Sequence, residues 1–371
     1  MNFDYSDDQK FLKNEARKFL EARCTSAAVR KVLDNDDVSF DADLWKGVAE
    51  QGWLGAAIPE EFGGLGLGHI ELCAIAEEMG RVVAPIPFAS TVFFAAEAIM
   101  LAGDAAQKAD LLPKIAAGEL IGSFATSEGP GVVNAGNLAC KVEGGKLTGV
   151  KIPVTDGDIA DLAIVLANEG GKAGLFLVDL KGAGVSRETL RSLDPTRGVG
   201  KLTFSGAAAT RLGADGEGFA LTEQVFDRAA VLLAFEQTGG ADKCLEMAKD
   251  YAMGRYAFGR VIAGYQAIKH KLADMYVKNQ VARSNAYYGA WALNTNAPEL
   301  PVAASAARIA ASEAYWFGSK ENIQTHGGMG FTWEVDCHLY YRRSRQLGLV
   351  AGAPKVWKER LVSQLERKNA A

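Results

Sequence analysis

Two short stretches carry residue types suited to holding a phosphate-bearing cofactor. Arg255-Tyr-Ala-Phe258-Gly259 sets a guanidinium and an aromatic ring ahead of a glycine, between two segments of helical period. Gln324-Thr-His-Gly327-Gly328-Met-Gly330 sets an amide before three glycines, near the end of a third such segment. Glycine lets backbone approach a flat or charged group closely, and a guanidinium gives a pyrophosphate a bidentate partner. Each stretch taken alone also reads as a helix end, with a basic residue favouring the dipole and a left-handed glycine as cap. Their combination, in this order and spacing, favours the binding reading.

These stretches need elements to position them. From Ser6 to about Gly118 apolar residues recur at helical spacing, with Phe11, Leu12, Ala16 and Phe19 on one stripe. From Glu119 to Gly218 short β-type runs alternate with Gly and Asp turn signals, and CKVEGGKLTG is the clearest hairpin, turning at Gly144-Gly145. Helical period returns in four long segments, about 219–256, 265–296, 300–327 and 335–369. The expected architecture is α+β: an N-terminal helical domain (1–118), a middle antiparallel β domain (119–218) and a C-terminal four-helix bundle (219–371).

Composition narrows the function. The 371 residues are 49% hydrophobic and 23% charged, enough for a large buried core. Formal net charge is -5 and the basic residues are scattered, so there is no footprint for nucleic acid. The opening MNFDYSDDQKFLKNEARKF lacks the apolar core of a secretory signal, and no run approaches 18 apolar residues, so no membrane span is expected. Cys24, Cys73, Cys140, Cys244 and Cys337 lie far apart and are expected reduced and buried, in a cytoplasmic protein. The four histidines include no ligand pair, so no metal site is expected.

With these motifs and this layout the chain resembles the flavin-dependent acyl-CoA dehydrogenases over essentially its whole length. The pattern R-x-x-F-G-x-x-I-x-x-x-Q is met by Arg255, Phe258, Gly259, Ile262 and Gln266, and Q-x-x-G-G-x-G by Gln324, Gly327, Gly328 and Gly330. The resemblance implies FAD as cofactor, with Arg255 and Phe258 against the FAD of a neighbouring subunit. It puts Gln324 and the glycines near the other end of that FAD, and Gln266 in the same cofactor-binding set. In the β domain, Ser127 and Glu128 of ATSEGPGVVNAG fall where the family's T-E-P-x-x-G-S-D loop has Thr and Glu, and the G-S-D part is missing. Thr155 of VKIPVTDG matches the K-x-W-I-T strand, with Pro153 in place of the tryptophan. Ser127 and Thr155 are thus the implied flavin contacts here; by propensity alone they are turn and strand residues.

The family's reaction removes a proton alpha to an acyl-CoA thioester and passes hydride from the beta carbon to flavin N5, with an electron-transfer flavoprotein as acceptor. It requires a carboxylate base. Where most members have Y-E-G-T this chain has Val350-Ala351-Gly352, and where a minority place the glutamate on the first bundle helix it has Ala229. Glu236, in the apolar run AVLLAFEQTGG, is the remaining candidate, as a base shifted to suit a bulky or branched acyl group. The plainer reading is an acid held by a nearby basic residue or exposed at a bundle end. The chain also resembles subunits of mixed complexes that shorten steroid side chains, in which one chain supplies flavin contacts and another the base. Flavin-dependent oxidases and monooxygenases share the fold and form a further alternative. The implied assembly is a dimer or dimer of dimers, a homo-oligomer or a heterotetramer with a second dehydrogenase-like chain.

Three features have plainer readings. Ser192–Gly200, with Asp194, Pro195 and Arg197, reads as a turn, and Arg197 beside substrate phosphates is the sharper alternative. YYRRSR (340–345) reads as a solvated or interchain ion-pairing face, and His326 as a packing residue.

Overall fold

The computed structural model describes residues 5–370. In chain order, helices α1 (Asp7–Arg23), α2 (Ser26–Leu33), α3 (Ala42–Glu50) and α4 (His69–Arg81) are followed by a π-helical run, Ala89–Ala96, that continues into α5 (Glu97–Ala102) and then α6 (Ala105–Ala116). Eight strands come next: β1 (Gly122–Ala125), β2 (Lys141–Glu143), β3 (Lys146–Thr155), β4 (Leu162–Glu169), β5 (Lys172–Asp179), β6 (Val185–Thr189), β7 (Val199–Ala208) and β8 (Thr210–Leu212). Helix α7 (Gly218–Gly254), a two-stranded hairpin of β9 (Tyr256–Ala257) and β10 (Arg260–Val261), and helices α8 (Gln266–Asn294), α9 (Leu300–His326), α10 (Cys337–Leu347) and α11 (Pro354–Ala370) complete the chain. The expected fourth long helix is therefore two helices. Gly348, Gly352 and Pro354 sit at the break, and Ala351 takes a left-handed φ of 58° there, which no helix continues through.

The chain forms two compact units. The first holds the residues up to Arg30, His69–Ala84 and everything from Ala230; the second holds Lys31–Gly68 and Pro85–Ala229.

The second unit is built on one sheet of strand order β6-β7-β3-β2-β4-β5-β8, with β1 on β4. It is mixed, where an antiparallel sheet was expected: β1 and β2 each run parallel to β4. Leu162–Ala167 of β4 are buried without interruption, the continuous apolar run of a strand covered on both faces. The expected hairpin is β2–β3, pairing Glu143 with Lys146 across Gly144 (φ 55°) and Gly145 (φ 73°), the left-handed pair of a primed turn.

The first unit is helical. Ser6 and Gln9 form a capping box at the start of α1. The buried line of α1 is Ala16 and Leu20, while Phe11 is 67% exposed, so the predicted stripe is rotated. The rotation follows from charge. Helix α4 carries two buried carboxylates, Glu77 and Glu78, and α1 turns Lys13 and Arg17 toward them. Arg17 donates twice to Glu78, at 2.9 and 2.8 Å. Burial acts to raise the Glu77 pKa, yet Lys13 and Arg283 outweigh it and hold the carboxyl below its ordinary value.

Helices α4 and α7 touch backbone to backbone. A Cβ on Gly80 would stand 1.8 Å from the Glu236 carbonyl oxygen, and one on Gly239 would stand 1.8 Å from that of Glu77. No side chain fits at either place. Gly80→Ala and Gly239→Ala are each expected to lower stability by ~3 kcal/mol, since overpacking a rigid backbone contact has no soft neighbour to move. Urea unfolding of the purified chain measures this, and an unshifted midpoint for either variant contradicts the packing.

Candidate functional site

Helix α7 ends at Gly254, and the chain folds straight back on itself. Ala257 pairs with Arg260 and Tyr256 with Val261, leaving Phe258 (φ 50°) and Gly259 (φ 82°) as the two turn residues. Gly259 therefore serves a primed hairpin turn, which needs two left-handed residues, and does not cap the helix. Phenylalanine rarely adopts such a φ. The surrounding bonds enforce it: the Tyr265 hydroxyl donates to the Ala257 carbonyl at 2.9 Å, Ile262 N–H donates to the Arg255 carbonyl at 2.8 Å, and the Arg260 guanidinium lies over the Tyr265 ring at 4.0 Å. The product is a braced arm with Phe258 96% exposed at its tip and Arg255 exposed at its base. Gln266, exposed, opens α8 just beyond it.

The second glycine junction ends α9. Gln324, Gly327 and Gly328 are exposed, and a Cβ on either of those two glycines would meet nothing within 4 Å. Gly330 has a different purpose, because a Cβ there would lie 2.5 Å from the Ile323 carbonyl oxygen. His326 is buried, with Nδ1 2.9 Å from the Asn322 carbonyl oxygen, and its ring stacks on Tyr251 at 4.2 Å. Tyr251 belongs to the last turn of α7, and Arg255 N–H donates to its carbonyl. One stacked pair thus joins the two junctions at a single end of the helical unit, and His326 is the packing residue that its surroundings suggested.

The predicted residues of the sheet lie in the other unit. Ser127 donates to the Gly129 carbonyl at 3.3 Å, and its own carbonyl accepts from Ile152 N–H at 2.9 Å. Thr155 ends β3, half-buried, with its carbonyl accepting from Ser123 Oγ at 2.8 Å. Pro153, which has no amide hydrogen to give, falls where the β3–β7 register slips between Lys151 and Val154. Glu128 accepts from Lys151 Nζ and Ala139 N–H at 2.7 Å each and from Cys140 N–H at 3.0 Å. Burial acts to raise its pKa, and these donors more than offset that, keeping it below the usual carboxylate range. This carboxylate is committed to the loop itself.

Glu236 is equally committed. It is 2% exposed and accepts from Arg343 Nη1 at 3.3 Å. Arg343 has no exposed surface, and both its terminal nitrogens reach the Ala84 carbonyl at 3.4 Å. Ala84 closes a strained turn after α4, where Val83 takes φ 51°. Two more side chains hold that turn: the Tyr340 hydroxyl donates to the Arg81 carbonyl at 2.8 Å, and the Cys24 thiol faces the Val82 carbonyl at 3.6 Å. A buried carboxylate so placed neutralises Arg343 and anchors backbone. Ala229 is fully buried in α7, and Ala351 lies in the turn between α10 and α11.

YYRRSR is a solvated face only in part: Tyr340, Arg343 and Ser344 are buried in α10, Arg342 lies half-buried over the Trp333 ring at 5.2 Å, and Arg345 is exposed over Trp316 at 4.3 Å. Asp194 accepts from Thr196 N–H at 3.1 Å, the side-chain-closed turn expected, and Arg197 is buried behind it. The five cysteines are free and buried. Among the described residues no group of three or more His, Cys, Asp or Glu could hold a metal ion, and no helix is long and apolar enough to cross a membrane.

Sequence reading missed Arg308. It is buried in α9, donating through Nη1 to Gln237 and through Nη2 to the carbonyls of Leu347 and Val350. The one signal was its position as a lone cation among the alanines and serines of VAASAARIAAS.

A helical unit and a unit built on a mixed sheet give the chain the fold of the flavin-dependent acyl-CoA dehydrogenases. The N-terminal domain of the acyl-CoA dehydrogenases matches residues 6–119 and their C-terminal domain matches 216–365. The acyl-CoA dehydrogenase IpdE2 of Mycobacterium tuberculosis is 32% identical over 362 residues, covering 97% of this chain and 98% of that protein. A solved Tcur3481–Tcur3483 steroid ACAD variant superposes with a TM-score of 0.90 at 31% identity, covering 98% of this chain and 99% of the other. A chain of the ChsE4–ChsE5 complex of Mycobacterium tuberculosis shares the fold, with a TM-score of 0.90 at 24% identity, covering 99% of this chain and 99% of the other. The chain belongs to the acyl-CoA dehydrogenase family. FAD is that family's cofactor, and the end of the helical unit fits it. Arg255 is an exposed guanidinium, Gly327 and Gly328 present open backbone, and Phe258 offers an uncovered ring.

Glu236→Gln is expected to destabilise the chain by about 3 kcal/mol, because it leaves the Arg343 charge buried and unneutralised. Adding Arg343→Met is expected to restore part of that loss. Denaturant unfolding of the single and double variants checks this, and strictly additive losses contradict the pairing.

Proposed function

We propose that this chain is the base-lacking, flavin-contacting subunit of a heteromeric acyl-CoA dehydrogenase. The observation that carries the proposal is the commitment of Glu236 to Arg343 while Ala229 and Ala351 stand at the usual base positions. A catalytic base must reach the proton it abstracts and release it again. Glu236 instead anchors a buried guanidinium that caps the Ala84 carbonyl. No acid of this chain then serves the alpha carbon, and the partner chain supplies it.

Bound FAD supplies the hydride acceptor for alpha,beta-desaturation of an acyl-CoA. This chain's part is to hold that cofactor. Arg255 offers charge-assisted hydrogen bonds to a pyrophosphate, Gly327 and Gly328 admit close backbone approach, and Phe258 covers apolar ring surface. Gln266 and Gln324 flank this set with amide groups, and Ser127 and Thr155 are the contacts proposed on the sheet. The 31% identical steroid ACAD supports a bulky, polycyclic acyl-CoA as substrate, in an assembly of two kinds of chain. An electron-transfer flavoprotein is the proposed acceptor.

Produced alone, the chain is expected to be colourless. Produced with a second acyl-CoA dehydrogenase-like chain that keeps its glutamate, it is expected to give a yellow hetero-oligomer by native mass and visible absorption. In that complex Arg255→Ala should weaken FAD binding by about 10- to 100-fold, the worth of a charged hydrogen bond. A yellow chain that alone turns over an acyl-CoA would rule the proposal out.

A further inference from the structure

The turn joining α10 to α11 holds Ala351 at φ 58° and Gly352 at φ 111°. A left-handed alanine costs about 1–2 kcal/mol and persists only where neighbours impose it. On one side the imposing group is Arg308 of α9, which is 1% exposed. Its Nη2 donates to the carbonyl of Leu347, one of the orphan acceptors at the end of α10, and to that of Val350 at 2.8 Å. Val350 immediately precedes Ala351. The other terminal nitrogen donates to Gln237, whose amide donates in turn to Ser312 Oγ at 3.2 Å, so the fork is oriented from behind. Burial draws the guanidinium pKa down to about 10, with Glu236 opposing, and it stays charged at neutral pH. On the other side α11 closes the turn: a Cβ on Gly352 would lie 3.4 Å from Val356 Cγ1 and 3.6 Å from Trp357 Nε1.

We infer that Arg308 is a positioning residue that locks the turn Gly348–Ala353 and so fixes where Ala351 stands. A single planar guanidinium collects two carbonyls that bracket Gly348 and Leu349. A lysine could serve one of them well, and an apolar residue would leave both without their charged donor. The meaning of the lock rests on the base-lacking reading: the turn at the vacated base position keeps a fixed shape while giving up its carboxylate. The lock itself requires neither flavin nor partner.

Amide hydrogen exchange on the full chain, produced alone, tests it in wild type, Arg308→Lys and Arg308→Met. Val350 N–H and Gly352 N–H donate within the turn, to Gln346 and Leu349, and report its opening. In Arg308→Met, exchange across 346–353 should rise about 100-fold while the interiors of α7 and α9 keep wild-type protection, since opening of a segment tracks its local free energy. Arg308→Lys should recover part of the protection. An unchanged turn, a rise shared equally by α7, α9 and α10, or no recovery with lysine would each overturn the inference. If Arg308→Met does not fold, wild type and Arg308→Lys decide: a wild-type turn exchanging as fast as the Tyr256–Val261 hairpin overturns it. Because the reading is taken on the flavin-free chain, it stands or falls separately from the proposed heteromer.

Discussion

The helical unit depends on a charge pair sealed from water. Glu236 and Arg343 are both buried and lie 3.3 Å apart as an ion pair. Their position is set by a backbone contact that only glycine permits, Gly80 against the Glu236 carbonyl and Gly239 against that of Glu77. The contact brings the end of α4 to the middle of α7. A strained turn at Val83 follows α4, and its flanking carbonyls take side-chain donors. Arg343 supplies one of them, so the charge pair and the strained backbone stabilise each other. Arg308, one helix over, repeats the device at the Ala351 turn with a second buried guanidinium.

That arrangement bears on chemistry. Glu236 is buried and bonded to Arg343, whereas a base must reach the proton it abstracts. The same helical unit is open at its other end, where the Phe258 arm and the Gly327–Gly328 backbone face outward. The proposed base-lacking role rests on this contrast between a committed Glu236 and an exposed Phe258 arm.

Much of this was legible in the sequence. The order of helices, strands and helices followed from hydrophobic period, and Gly144-Gly145 specified its hairpin outright. The two glycine junctions stood out because they interrupt the helical period, and the structure joins them at one end of the helical unit through the His326–Tyr251 stack. What escaped was set by contacts distant in sequence. The stripe of α1 turned to let Lys13 and Arg17 meet carboxylates on α4. The parallel pairing of β1 and β2 with β4 has no local signal, since a buried apolar run reads alike in either direction. Nor does YYRRSR announce that its second arginine goes inward, to an acid 107 positions away. The helical period is present in that segment, but three arginines within four positions mask which face is buried.

The most direct test of the account is exchange of the alpha proton of an acyl-CoA thioester with deuterium oxide, which needs a base and no electron acceptor. The FAD-supplemented chain alone should show no exchange above buffer, and the complex with a glutamate-bearing partner should show it. Exchange by the chain alone, lost in Glu236→Gln protein that remains folded, would contradict the account at its centre.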